Sequence, residues 1–304
     1  MSSLRRVNGP TVTTSGPSDH VAFRRALRRA APSIARPLPW IAHQNPWAVL
    51  VSEVMLQQTQ TSRVIVPWTR FMARFPTPSS CAEASLKEVL TAWRGLGYHR
   101  RAKQLHDTAR ILRDVFNDEV PREAAQLRSL PGVGPYTASA VSSFAYGERE
   151  AVLDTNVGRV LARALANRRL HPSEASALAD ELLPRTNSAA FNQAMLDLGA
   201  QFCRATPRCD ECPVARHCAW RQRGGGDPAP KSAGVSHPQS PFEGSNRQLR
   251  GRVLDALREG PHSRRQLLRN LVDVTASRRD EALAGLLRDG LITRHAQIFS
   301  LAGD

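Results

Sequence analysis

The chain reads as a mostly α-helical protein followed by a small C-terminal module of helices and one hairpin, and three observations predict this. Apolar residues recur at helical spacing from about Ala22 to Trp220. No stretch in that range alternates as a strand would. Residues 222–245 are dense in Gly, Pro and Ser, and the pattern changes beyond them.

Taken in order, residues 1–20 (MSSLRRVNGPTVTTSGPSDH) hold no apolar core and predict a disordered tail, not a signal peptide. Helices follow, each with a single apolar stripe. Over Ser85 to Trp93 the stripe is Leu86, Val89, Leu90 and Trp93; over Ala102 to Phe116 it is Leu105, Ala109, Ile111, Leu112 and Val115. One stripe per helix means that the helices must cover one another. Residues 222–245 cannot bury enough apolar surface to order their backbone, so they predict a linker. From Asn246 to Asp304 the pattern resumes. Leu249, Val253, Leu254 and Leu257 line a helix, Ser263 and Gln266 form a capping box that opens a second, and Leu283, Leu286 and Leu287 line a third ending at Gly290. Leu291-Ile-Thr and Ile298-Phe-Ser-Leu then bracket a polar turn. The result is a winged-helix-like module. Its pattern leaves open whether it touches nucleic acid, docks a protein or serves structure alone.

Composition narrows the function. Of 304 residues, 41% are hydrophobic and 23% charged, as in a globular protein, and no apolar run is long enough for a membrane span. Lys and Arg number 42 against 27 Asp and Glu, a net charge of +15. Most of the excess is arginine, whose planar fork suits phosphate, so the expected partner is nucleic acid. Four of the five cysteines fall between Cys203 and Cys218, which predicts a metal site in a reducing, cytoplasmic compartment.

The spacing Cys203-x5-Cys209-x2-Cys212-x5-Cys218 has one close central pair and two outer ligands. It favours an iron-sulfur cluster over zinc, whose ribbons use two close pairs. Arg204, Arg208 and Arg216 lie within or beside that loop and predict a phosphate clamp. Upstream, Leu130-Pro-Gly-Val-Gly-Pro-Tyr-Thr-Ala precedes a small-residue helix. Two glycines there let the backbone turn tightly and aim amides at an anion, as a helix-hairpin-helix does. Two carboxylates stand out. Glu53 lies in the apolar run Ala48-Val-Leu-Val-Ser-Glu-Val-Met-Leu, where desolvation would keep it partly protonated. Asp154 stands where a helix should begin, as an N-cap, a catalyst or both. One carboxyl that donates a proton and one held ionised is what hydrolysis of a glycosidic bond requires.

Together these residues resemble the helix-hairpin-helix superfamily of DNA glycosylases, and within it the MutY-type adenine glycosylases. The resemblance covers Pro39 to Cys218. It rests on Leu38-Pro-Trp40, Ser52-Glu-Val-Met-Leu-Gln-Gln-Thr-Gln60, Gly95-Leu-Gly-Tyr98, Leu130-Pro-Gly-Val-Gly134, Leu153-Asp-Thr-Asn156 and Phe191-Asn-Gln-Ala-Met-Leu-Asp-Leu-Gly199. It implies a two-lobed glycosylase fold. Residues 39–151 would form the six-helix lobe, and residues 21–38 with 152–221 the lobe of a [4Fe-4S] cluster held by Cys203, Cys209, Cys212 and Cys218.

The resemblance also implies roles. Glu53 would protonate the departing adenine and later activate water; Asp154 would stabilise, or briefly bond to, the sugar cation; Tyr136 and Asn156 would position them. Gln58 and Tyr98, with Leu96 beside them, would wedge into the duplex. Gln193 would bond the adenine edge, with Trp40 also at the substrate. Gly132, Val133 and Gly134 would hold a phosphate, and Arg204 and Arg208 would add contacts from the cluster loop. The implied partner is double-stranded DNA holding adenine opposite guanine or 8-oxoguanine, bound by a monomer on the nucleoid. Endonuclease III is the alternative within the superfamily, but it carries a lysine where this chain has Tyr136, and without that amine no Schiff base forms with the sugar. A thymine mismatch glycosylase shares the tyrosine and lacks the Glu53 motif. A non-enzymatic iron-sulfur DNA-binding regulator is the alternative outside it.

The chain departs from the family pattern in three places. Five residues separate the first two cluster cysteines where six are usual, Ile41 stands where arginine is common, and the stretch after Cys218 is too short for the Nudix-like domain that senses 8-oxoguanine.

Overall fold

A computed structural model describes residues 16–42, 45–235, 240–269 and 271–303. Its helices, in chain order, are α1 (Pro17–Ile34), α2 (Pro46–Leu56), α3 (Thr61–Arg74), α4 (Pro78–Glu83), α5 (Leu86–Ala92), α6 (Arg100–Phe116), α7 (Ala124–Leu127) and α8 (Pro135–Tyr146). They continue with α9 (Thr155–Val160), α10 (Pro172–Leu182), α11 (Ser188–Gln201), α12 (Ala219–Arg223), α13 (Asn246–Arg258), α14 (Arg264–Arg269) and α15 (Ala276–Arg288). Strands β1 (His262–Ser263), β2 (Ile292–His295) and β3 (Ile298–Leu301) complete it. No described helix is long and apolar enough to cross a membrane.

The chain divides into two compact units. One takes its described residues from Met1–Arg36 and Gly147–His237, the other from Pro37–Tyr146 and Pro238–Asp304; we call them the cluster half and the hairpin half.

In the hairpin half, α2 is the central helix. Asn45 caps it by accepting the Trp47 amide (2.9 Å), and every residue from Trp47 to Met55 is buried, as expected of a helix that is apolar all round. It packs on α8, whose Ala138, Ala140, Ser142 and Ser143 let the two backbones approach. Ser85 and Glu88 close a capping box at the start of α5. In α6 the stripe Leu105, Ala109 and Leu112 is buried as its spacing predicts, whereas Val115 is 68% exposed. That residue stands about 80° round the helix from Leu105, off the buried stripe.

The C-terminal module is part of this half and not a separate body. Leu249, Val253, Leu254 and Leu257 of α13 belong to the same apolar core as Trp93, Leu105 and Val141. Arg258 donates to the Leu90 carbonyl (2.9 Å), and Arg94 pairs with Asp255 (3.3 Å). Ser263 and Gln266 cap each other's backbone at the start of α14, as the sequence predicts. The sheet has three strands, in the order β1-β3-β2, where the sequence predicts a two-stranded hairpin. The added strand is the two-residue pairing of His262 with Phe299 and Ser263 with Ile298, too short to leave a periodic signal.

The cluster half gathers α1, α9, α10, α11 and α12 around Phe23, Leu27, Val160, Leu161, Leu182 and Leu198. Two expectations are corrected here. Helix α1 begins at Pro17, inside the predicted tail, because Asp19 accepts the Gly16 amide (3.1 Å) and so caps the first turn; residues 1–15 lie outside the described residues.

Residues 224–235, predicted as open linker, are instead fastened down; 236–239 lie outside the described residues. Asp227 pairs with Arg163 (2.5 Å). Ser232 is 3% exposed and accepts the Leu170 amide (3.1 Å), the Ala233 amide donates to the Leu170 carbonyl (3.0 Å), and Thr155 donates to the Gly234 carbonyl (3.0 Å). Small residues make this strap possible. A Cβ on Gly158 would sit 2.6 Å from the Ala233 carbonyl oxygen, too close for any side chain while the strap lies there. Composition misses it because each fixing partner lies more than sixty residues away in the chain, and most of these contacts use a backbone amide or carbonyl, which every sequence has.

Candidate active site and cluster loop

In the cluster half, Asp154 is the N-cap of α9. Its Oδ1 accepts the Val157 amide (2.8 Å) and its Oδ2 accepts the Asn156 side-chain amide (2.6 Å). Asn156 is held in turn, since its Oδ1 accepts Arg159 Nη2 (2.6 Å). Arg159 also donates to the carbonyls of Cys203 (2.6 Å) and Gly199 (3.1 Å). A continuous line of hydrogen bonds therefore runs from the cysteine loop through Arg159 and Asn156 to Asp154. Burial pushes the Asp154 carboxyl up from its ordinary value, opposed by the Val157 amide, by Asn156 and by the charge of Arg159. The sequence expectation of an ionised Asp154 thus depends on these three groups offsetting its burial. α11 presses on this arrangement: a Cβ on Gly199 would lie 2.6 Å from the Asn156 carbonyl oxygen.

The four clustered cysteines line one hollow together with Val160, Leu198 and Trp220. Among the described residues no three His, Cys, Asp or Glu side chains are arranged to hold a single metal ion. The hollow is braced by Arg163, 1% exposed, which donates to the carbonyls of Arg204 (2.6 Å) and Ala205 (3.1 Å) while pairing with Asp227 of the strap. Arg204, Arg208 and Arg216 are exposed, but Arg208 is engaged by Glu211 (2.8 Å), so a phosphate would have to displace that carboxylate. Gln193 already spends its amide on Asp197 (2.9 Å), the same carboxylate that holds Arg36 (2.6 Å). On α1, Arg24, Arg25, Arg28 and Arg29 line an open trough with Arg185, so part of the chain's positive charge is gathered on one face.

In the hairpin half, Glu53 is 5% exposed among the apolar residues of α2. Tyr136 is in the first turn of α8, the helix packed on α2. The hairpin turn between α7 and α8 has Gly132 at φ 76°, a conformation that favours glycine. Its carbonyl accepts Gln57 Nε2 (3.1 Å), which also reaches Thr137 Oγ1 (3.1 Å). Around Gly134 nothing lies within 4 Å of where a Cβ would stand, so the turn is open there.

Three residues expected at the DNA or the substrate have buried side chains. Val133 is 6% exposed and its amide donates to the Leu130 carbonyl; Leu96 is 2% exposed; Trp40 is buried edge-on against Trp68. These side chains build the core beneath the surface, because an apolar residue at a tight turn gains more from burial than from facing water.

Gln58 and Tyr98 stand on two turns and both take positive φ, 55° and 47°. Arg101, a residue that sequence reasoning missed, welds the two turns together. One of its nitrogens donates to the carbonyls of Val54, Met55 and Gln57, the other to Thr59 Oγ1 and to the carbonyls of Leu96 and Gly97. Its partners are almost all backbone carbonyls, so no residue pairing in the sequence announces it.

Comparison with known proteins identifies the family. The profile of HhH-GPD superfamily base excision DNA repair proteins matches residues 51–185. The adenine DNA glycosylase of Mycobacterium tuberculosis (strain H37Rv) is 45% identical over 281 residues, spanning 88% of this chain and 90% of that protein. The adenine DNA glycosylase of Homo sapiens is 40% identical over 217 residues, 66% of this chain and 40% of that protein. Among solved structures, a thermostable thymine-DNA glycosylase superposes with a TM-score of 0.62 at 26% identity, covering 67% of this chain and 97% of that one. A non-covalent endonuclease III–DNA complex gives 0.58 at 27% identity, covering 67% and 96%. With the hairpin turn, the buried Glu53 and the capped Asp154 in place, these similarities identify the chain as a member of the adenine DNA glycosylase family of base excision repair proteins.

Proposed function

We propose that this protein is a monofunctional glycosylase that removes adenine opposite guanine or 8-oxoguanine by hydrolysing its N-glycosidic bond. Family membership supports adenine excision in base excision repair. The choice of opposite base, and the parts played by single residues, are our reading from the resemblance to that family.

In that reading Glu53 gives a proton to a ring nitrogen of the flipped adenine as the C1′–N bond breaks, and the electron pair of that bond leaves with the base. The positive charge left on the sugar is sheltered by Asp154. Glu53 then takes a proton from water as its oxygen bonds to C1′. Asn156 and Tyr136 position the two carboxyls. Gln58 and Tyr98 fill the gap left in the base stack, Gln193 meets the adenine edge, and the Gly132–Gly134 turn and Arg204 hold phosphates. The chain acts as a monomer, in the cytoplasm and on nucleoid DNA.

The observation that carries the reading is Asp154. A carboxylate whose two oxygens are already turned and held by the Val157 amide and Asn156 need not reorganise when a cation forms beside it.

Cys203, Cys209, Cys212 and Cys218 would hold a [4Fe-4S] cluster. Four thiols around a shared hollow, one close pair flanked by two outer ligands, fit a polynuclear group better than zinc. When bound it ties the loop whose Cys203 carbonyl receives Arg159.

The test is a duplex with one A·8-oxoguanine or A·G pair, incubated with protein and treated with alkali. We expect an alkali-labile site at the adenine, and Asp154→Asn should bind the duplex without releasing base. No cleavage on either pair, or unaltered release by the variant, overturns the reading.

A further inference from the structure

The C-terminal module reaches the surface of its own half at one telling place. Arg247, in the first turn of α13, donates through Nη1 to the Tyr98 hydroxyl (2.7 Å), and its guanidinium carbon lies 5.1 Å from the centre of the Tyr98 ring. The other guanidinium nitrogen donates to the Ser240 carbonyl (2.6 Å). Arg101 stands 5.4 Å from the same ring. Tyr98 is part-buried on a turn of positive φ, so the two guanidinium groups lie against a ring that the core does not enclose. α13 is no loose arm: its apolar stripe belongs to the core of the hairpin half, and Arg258 anchors it to the Leu90 carbonyl.

We propose that Arg247 is a positioning residue for Tyr98, and that through it the C-terminal module sets how selectively the protein engages a mispair. This rests on the reading of Tyr98 as the ring that enters the duplex. A ring can fill a gap in a base stack only in the plane of the bases. Fixing it before DNA arrives removes the rotamer entropy that binding would otherwise cost. A cation beside the ring adds attraction to its face and to nearby phosphates. The module thereby has a task in recognition that does not require its own helices to enter a groove. The mycobacterial relative matches over too long a span to omit this module.

The experiment measures affinity for a duplex with one A·8-oxoguanine pair against the same duplex with A·T, together with 2-aminopurine fluorescence beside the mispair, which reports unstacking. Arg247→Ala should cut the affinity ratio about tenfold, the loss of one charge-assisted hydrogen bond. It should also lower the fluorescence amplitude, while the saturated single-turnover rate changes much less. Arg247→Lys, which keeps the charge but not the fork, should fall between. Once Tyr98→Phe has removed the hydroxyl, Arg247→Ala should cost less than it does in the parent.

Thermal melting identifies any variant that fails to fold, and Arg247→Gln then serves in place of the alanine. Equal weakening on both duplexes would make Arg247 an ordinary phosphate contact and overturn the proposal. If Tyr98→Ala abolishes selectivity while Arg247→Ala preserves it, the proposal alone fails. If Tyr98→Ala leaves selectivity intact, the wedge reading fails and takes the proposal with it.

Discussion

Replacing Gly199 by alanine adds one methyl group at the point where α11 presses on Asn156. That carbon would sit 2.6 Å from the Asn156 carbonyl oxygen and 2.7 Å from its carbonyl carbon, against a floor near 3.0 Å for real contacts. The atoms in the way are backbone, so the start of α9 must shift by several tenths of an ångström. Overpacking of this kind costs about 1–3 kcal/mol of stability. The larger effect should be on rate, because the segment that moves carries Asn156 and Asp154. A displacement of about 1 Å at a reacting group can cost about a hundredfold, so a shift of less than half that should cost roughly tenfold. Single-turnover excision with saturating enzyme reads the rate, urea midpoints read the stability, and binding to the mispaired duplex should hardly change. Should Gly199→Ala lose stability yet excise at the parental rate, the line from the cluster loop through Asn156 to Asp154 does not position the catalyst.

Three further outcomes follow from the geometry. Gly134→Ala meets nothing within 4 Å and has no positive φ to strain, so melting should be unchanged; the methyl would stand where a phosphate approaches, weakening duplex binding about tenfold while the salt slope, set by the cationic side chains, stays the same. A fluorescence titration at several salt concentrations checks this, and unchanged binding would remove the turn from the DNA contact. Burial, and after it the charges of Arg258, Arg250 and Arg101, hold the His99 imidazole down at about 3 from an ordinary 6.5. Between those values the unfolded chain binds the extra proton, so stability is complete above pH 6.5 and falls with acid, by about 2 kcal/mol at pH 5 at about 1.36 kcal/mol per pH unit. Urea midpoints at pH 7 and 5 should show that loss in the parent and less of it in His99→Phe; equal losses would contradict it. Protein purified without air should show a broad visible absorption and about four irons per chain, and Cys212→Ser should lose both; a colourless parent carrying zinc would reject the cluster.

Much of the fold could be read from the chain because its causes are local. The stripe Leu105, Ala109 and Leu112 names a buried helix face, and Ser263 with Gln266 names a helix start. The capping role of Asp154 is equally local, lying three residues from the amide it receives. What could not be read depends on partners that a sequence does not mark. The stripe on α13 says that something covers it, but not that the cover is the hairpin half. Arg101 looks like any basic residue of a DNA-binding chain, yet it is a buried cation spent on carbonyls. Leu96 and Val133 fall inside motifs of the family and so invite a contact role, when their burial makes them supports.

The strap over residues 227–234 bears on where this enzyme can be cut. A boundary chosen by composition would end a catalytic fragment soon after Trp220, ahead of the glycine run. Such a fragment would keep all four cysteines and both carboxyls, and would still lose the Asp227 counterion of Arg163 and the carbonyl that receives Thr155, next in the chain to Asp154. A fragment that keeps these two contacts must therefore run at least through Gly234, and a shorter expression product would carry Asp154 at the start of a helix that has lost them.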